Sequence, residues 1–205
     1  MSEQDQNEIH RAVSFPPATG YKANNNHPFR LRRSNPMADL TMLEIARRQI
    51  EFARDYTLSL VADIQDDEWF AMPAGAPTHL AWQIGHLAMA EYGLCLFRQR
   101  GRQEIDTELM TSKFRKQFSR GTTPETDPSG YPPVGEIRTT FERVHQQALA
   151  ELPTFTPESL AVEIDMPYAA TNTRLGALLF CSHHEMLHAG QIGLLRRLLG
   201  KPPVR

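Results

Sequence analysis

The sequence predicts an all-α protein: a four-helix bundle with a long crossover between its second and third helices, preceded by a disordered N-terminal leader. Three observations carry this. Four stretches space their apolar residues three and four apart, Pro- and Gly-rich breaks separate them, and no convincing alternating strand, Gly-rich phosphate loop or internal repeat competes. A bundle is the simplest way to bury four such stripes together. At 205 residues, with 40% hydrophobic and 22% charged residues, the chain suits one well-buried domain.

Residues 1–36 hold Asn24, Asn25 and Asn26 together with Pro16, Pro17, Pro28 and Pro36 and no sustained apolar period, so they read as the leader. Met37 stands just before the first regular segment, which raises the expectation that translation starts there and that 37–205 is the folded domain. The first helix opens on a capping box, Thr41 to Glu44. Its stripe of Leu43, Ala46, Ile50, Ala53, Thr57, Leu60 and Ile64 implies about 23 residues. After a turn region with Pro73, Gly75 and Pro77, Thr78 is positioned to cap a second helix that runs to Arg100 and stops at Gly101.

From Gly101 to Pro133 the period fails and Gly and Pro accumulate, so this is a crossover or lid, with a short helix expected near Leu109 to Phe118. Val134, Ile137, Phe141, Val144 and Ala148 give the third helix, ended by Pro153. The fourth spans Leu175 to Leu199 and is closed by Gly200 and Pro202.

Charge and cysteine content exclude several function classes. A net charge of −2, with the one basic cluster at Arg30 to Arg33 inside the leader, offers no surface for nucleic acid. Two cysteines, no run of eighteen apolar residues and no apolar signal core point away from a secreted disulfide framework and from a membrane, and toward the cytoplasm.

The chemistry concentrates in the fourth helix at His184-Glu185-Met186-Leu187-His188, where two imidazoles one turn apart can grip one ion. Chance alone supplies about 0.3 such pairs in a chain with this histidine content, so the pair needs context. Ala177, Cys181, His184, His188, Gln191 and Leu195 share one arc of that helix, which puts both rings on a face suited to the core. The plain alternative is a pair of hydrogen-bonded core histidines. His86 is the expected third ligand, because it lies inside the apolar run Leu80 to Leu96, and facing helices of a bundle can deliver side chains to one point. His183 points away from His184, His79 reads as a residue at the helix start, and His145, between Arg143 and Gln146, reads as solvated. The match to the His-Glu-x-x-His of zinc proteases is weakened downstream, since residues 189–205 offer no His, Asp, Glu or Cys as a further ligand.

Trp82-Gln83-Ile84-Gly85-His86-Leu87, the long crossover and His184 through Ile192 together resemble the DinB-like metal-binding bundles, over roughly residues 40–200. The resemblance implies a four-helix bundle with a three-histidine site, carried onto His86, His184 and His188. It also implies similarity to thiol-dependent S-transferases and isomerases, and a homodimer.

Three neutral imidazoles leave a divalent ion its full charge and an open position for water or a small-molecule substrate. Such an ion would let a low-molecular-weight thiol ionise near neutral pH and attack a small electrophile. Imidazoles suit zinc, nickel, copper and iron alike; zinc or nickel is expected first, with iron or manganese after them. Glu185 is a candidate catalytic general base or a partner to an imidazole, and alternatively an interhelix carboxylate. Gln191 is a candidate to hydrogen-bond a ligand ring or to pack against another helix, and Cys181 is a candidate fourth ligand or a buried core thiol. Tyr131 and Phe114 are candidates to cover the open position, with Arg115, Lys116 and Arg120 attracting an anionic thiol. Against the transferase stand a metal-stabilised structural or sensing bundle without turnover, a metalloprotease-like hydrolase, and a plain interaction bundle.

Overall fold

The computed structural model describes residues 40–73 and 75–204, which belong to one compact unit, Asp39–Arg205. The leader, its Arg30 to Arg33 cluster, His10, His27 and the start at Met37 lie outside the described residues.

Helix α1, Met42–Val61, begins where Thr41 accepts a hydrogen bond from the Glu44 amide at 3.1 Å. Its buried stripe is Ala46, Ile50, Ala53, Thr57 and Leu60, as the three-four spacing predicts, and Arg54 is buried among them. Helix α2 starts at Leu80 and is capped by His79, whose Nδ1 accepts from the Trp82 amide at 3.1 Å. Thr78, the expected cap, instead takes a hydrogen bond from the Gln83 side chain at 3.2 Å. Leu80–Glu91 continues through a π-helical turn, Tyr92–Phe97, into Arg98–Arg100, and Gly101 at φ +80 ends the run.

The crossover carries two short helices, α3 at Asp106–Leu109 and α4 at Ser112–Gln117, where one was expected. Helix α5, Val134–Glu151, buries Val134, Ile137, Phe141, Val144 and Ala148. A single turn, α6, Pro157–Leu160, precedes α7, Arg174–Leu198, which is capped by Thr173 and closed at Gly200, φ +81. Among the described residues no β-strand forms beyond an isolated bridge between Glu163 and Thr173. No helix among them is long and apolar enough to cross a membrane.

The four long helices pack chiefly as α1 on α7 and α2 on α5, with α2 and α7 meeting across the core. Helices α2 and α7 run antiparallel. Gln83 meets His188, Cys95 meets Cys181, and Gln99 reaches the Arg174 carbonyl, so residue numbers fall on one helix as they rise on the other.

At the centre lies a charged knot rather than an apolar one. Arg54 donates to Glu91 Oε2 at 2.6 Å, to Glu185 Oε1 at 3.0 Å and to the Phe141 carbonyl at 3.0 Å, with its guanidinium 3.3 Å from the centre of the Phe141 ring. His145 Nδ1 lies 2.8 Å from Glu91 Oε1. His145 is therefore not solvated: it is 5% exposed, because Glu91, itself buried, needs a second partner. Burial alone would raise the Glu91 carboxyl, yet Arg54 and His145 hold it below its ordinary value. Glu185 moves the other way, raised by burial against the pull of Arg54.

Removing Arg54 strands two buried carboxylates. Arg54→Ala is expected to lose about 3–5 kcal/mol in urea unfolding, the usual cost of breaking a buried pair from one side. Adding Glu185→Gln should restore part of it, and a loss under about 1 kcal/mol would show that the knot is not holding the helices.

Candidate metal centre

His86 on α2 and His184 and His188 on α7 converge: one ring nitrogen from each lies within 4.8 Å of the other two. Ring centres are 5.3 Å apart for His86 and His184, 4.9 Å for His86 and His188, and 4.6 Å for His184 and His188. The sequence expectation of two facing helices meeting at one point describes this arrangement.

Each of two rings is turned by an acceptor behind it. His86 Nδ1 lies 2.8 Å from the Phe118 carbonyl oxygen, which can only accept, so Nδ1 carries the proton and Nε2 is left as a free lone pair. His188 Nδ1 likewise donates to Gln83 Oε1, and the Gln83 amide is oriented by its own donation to Thr78. Backing of this kind, a carbonyl behind the ring, is what metal-ligating histidines use to fix tautomer and direction.

Gly85 makes the first of these contacts possible. A Cβ there would stand 2.5 Å from the Phe118 ring, so any other residue would push the crossover off α2. The His86 ring is further fixed by Trp82, stacked on it at 4.7 Å and 7°, whose Nε1 donates to Thr122 at 2.9 Å.

Burial favours the neutral, ligating form of all three rings. Desolvation lowers His86, takes His184 down to about 4 and takes His188 down to about 3, the neighbouring imidazoles adding to the last two. Neutral imidazoles, oriented lone pairs and mutual proximity fit one divalent cation of the kind that accepts nitrogen donors.

The rings line a cavity of about 490 Å³ whose walls include Trp82, Met89 and Leu94 from α2 and Phe180 from α7. Arg120, expected from the crossover, lines it, while Arg98 and Tyr168 had no signal in the periodicity. Phe114 and Tyr131 do not cover the histidines. Phe114 is buried against Phe118, and Tyr131 packs on Phe70, His79 and Phe118. Arg115 and Lys116 are absent from the cavity wall.

The remaining candidates are placed elsewhere. Glu185 sits in the central knot on Arg54, 2% exposed, and is not among the residues lining the cavity; in that position it is an interhelix carboxylate. Cys181 groups with Cys95 and Glu91 instead of with the histidines, and its thiol, hydrogen-bonded to Cys95 and buried, is held well above its ordinary value. Gln191 and His183 are exposed. Gln83, the residue that backs His188, was missed; its place one turn before His86, inside an apolar run, was the available signal.

A sequence model of a protein family described as the DinB superfamily matches residues 49–192. Among solved structures, the chain is similar to a crystal structure described as the conserved protein of locus from Enterococcus faecalis. The two share 17% identity at a TM-score of 0.59, covering 77% of this chain and 97% of that one. At that identity the likeness shows the fold alone. Among curated proteins, none matches this chain.

The lowered histidines set a pH dependence for the metal-free protein. In the unfolded chain these groups protonate near about 6.5, whereas folded His184 and His79 do so only near about 4 and His188 near about 3. The unfolded state therefore takes up protons first, so stability is complete above the unfolded value and declines as pH falls toward the folded ones. The expected result is a lower melting temperature at pH 5 than at pH 7, with a smaller difference in His188→Gln; an equal or higher value at pH 5 would contradict it.

Proposed function

The chain belongs to the DinB superfamily, and from that premise we propose that it holds one divalent transition metal, zinc or nickel first, on His86, His184 and His188 and uses it to transfer a small thiol to a small electrophile. The observation that carries the reading is the three-ring convergence with Nδ1 of His86 and His188 occupied from behind, at the wall of a cavity large enough for a substrate. A purely structural site would need a fourth protein ligand to close it, and none of the described Cys, Asp or Glu side chains joins the cluster.

What a bound divalent ion supplies is the lowering of a thiol's pKa toward neutrality. The chain's own residues do the rest. His86 and His188 keep their Nδ1 protons on Phe118 and Gln83, so neither ring can turn or exchange roles during a turnover. Trp82, Met89, Leu94 and Phe180 present apolar surface that excludes water and seats an apolar electrophile. Glu185 enters this scheme as a positioning residue: its bond to Arg54 fixes the rotation of α7 one residue from His184. A hydrolase built on the His-Glu-x-x-His match would need that same carboxylate free beside the ion.

Self-association belongs to the proposal as well, since Met186, Leu187 and Leu194 on α7 keep apolar side chains exposed. Mass measurement in solution reads it directly.

Purified protein is expected to bind zinc or nickel in a one-to-one ratio and to melt higher with it, an effect lost in His188→Ala. Gln83→Leu should keep the fold and weaken metal affinity by about 10–100-fold. Metal-loaded protein should then consume a low-molecular-weight thiol in the presence of activated electrophiles. Metal binding without any thiol consumption across the panel would leave a sensing or structural bundle, and no metal binding would remove the proposal altogether.

A further inference from the structure

The cavity extends along α2 beyond the histidines, and its wall carries two arginines. Along α2 its wall is built by Trp82, His86, Met89, Gly93 and Arg98. The steps are four, three, four and five residues. A step of five would rotate Arg98 off that face in a regular α-helix, but Tyr92–Phe97 is π-helical, with bonds one residue longer, and the wider turn brings Arg98 back to the cavity. Twelve residues separate His86 from Arg98, about 18 Å of helix at the usual rise. Gly93, between them, contributes no side chain, and a Cβ placed there would find Arg98 Nη1 at 3.6 Å as its nearest neighbour.

The second cation arrives from the crossover. Arg120 Nη1 donates to the Tyr168 hydroxyl at 2.6 Å, with the guanidinium carbon 5.5 Å from the centre of that ring, and both residues line the cavity. None of the described residues lining the cavity carries a carboxylate, and among the described residues neither Arg98 nor Arg120 forms an ion pair. Elsewhere the chain does pair cations near its helices: Arg54 with Glu91, Arg100 with Asp106 and Glu151. Two arginines left without acids on the wall of one apolar cavity make a site for an anion.

We infer that the ligand of this cavity is an elongated small-molecule carboxylate, its anionic end held by Arg98 and Arg120, its apolar body lying along Met89, Gly93 and Phe180, and its other end at the histidines. The inference rests on the reading of the cavity as the substrate site of the metal centre. It adds the class of molecule: amphipathic, with charge at one end.

The test uses the full chain loaded with zinc and three series of probes of increasing length: ω-mercaptoalkanoic acids, ω-mercaptoalcohols and plain alkanoic acids. Affinity is read by calorimetry and by the fluorescence of Trp82, which lines the cavity. Acids are expected to bind about tenfold more tightly than alcohols of equal length, the order of one charge-assisted hydrogen bond. The advantage should peak at one chain length and weaken with added salt. Arg98→Gln and Arg120→Gln should each reduce it, with zinc content as the control for folding.

Equal binding of acid and alcohol, an advantage that survives both substitutions, or no binding of any acid would overturn the inference. The thiol reading fails separately. If plain and mercapto acids bind alike with the same dependence on the arginines, the carboxylate site stands and the thiol does not. If mercaptoalcohols bind only with zinc while acids gain nothing, the thiol stands and the carboxylate site does not.

Discussion

One guanidinium joins the four long helices. Arg54 belongs to α1, its carboxylate partners to α2 and α7, and its carbonyl partner and the ring beneath it to α5, while His145 ties α5 back to Glu91. A buried arrangement of this kind adds little net stability over well-packed apolar residues, because desolvation of the charges offsets much of their attraction. Its effect is on geometry. Apolar stripes tolerate sliding and rotation, whereas these bonds hold at one height and one bearing for each helix. Glu91 lies five residues beyond His86 and Glu185 is adjacent to His184, so the knot that sets α2 against α7 also sets where the histidines stand.

The helices were legible because each announces itself locally. Thr41 caps α1, Gly101 and Gly200 end α2 and α7 at positive φ, and the three-four stripes of α1 and α5 supply most of the buried residues found, although Leu43 is only half-buried and Ile64 lies beyond the end of α1 at Val61. His86 stood out as an imidazole in an apolar run, and its meeting with the α7 pair follows from bundle geometry. The knot was illegible for the opposite reason. Arg54, Glu91, His145 and Glu185 are residue types that ordinarily face solvent, and their partners lie 37, 54 and 131 positions away in sequence. On α7 this moved the buried centre of the helix to Ser182, Glu185, Ala189 and Ile192, about 100° from the face on which the histidines stand.

The backing of the histidines was half visible. Gln83 could be suspected from its place in the same run, but the Phe118 carbonyl carries no side-chain signature and comes from a crossover whose path no periodicity describes. The π-helical turn was hidden for a similar reason, since Tyr92–Phe97 reads as ordinary α-helix by composition. Both features shape the cavity: one by aiming a ring, the other by widening a turn so that a distant arginine returns to the same wall.

The absent methyl at Gly85 links two events that could have been independent. Because the Phe118 ring occupies that space and its carbonyl holds His86, the crossover has to be seated before the imidazole presents Nε2. Local opening of that segment alone would free the ring to swivel while the bundle stayed intact. In the proposed metal site, retention of an ion would thereby depend on the least regular part of the chain.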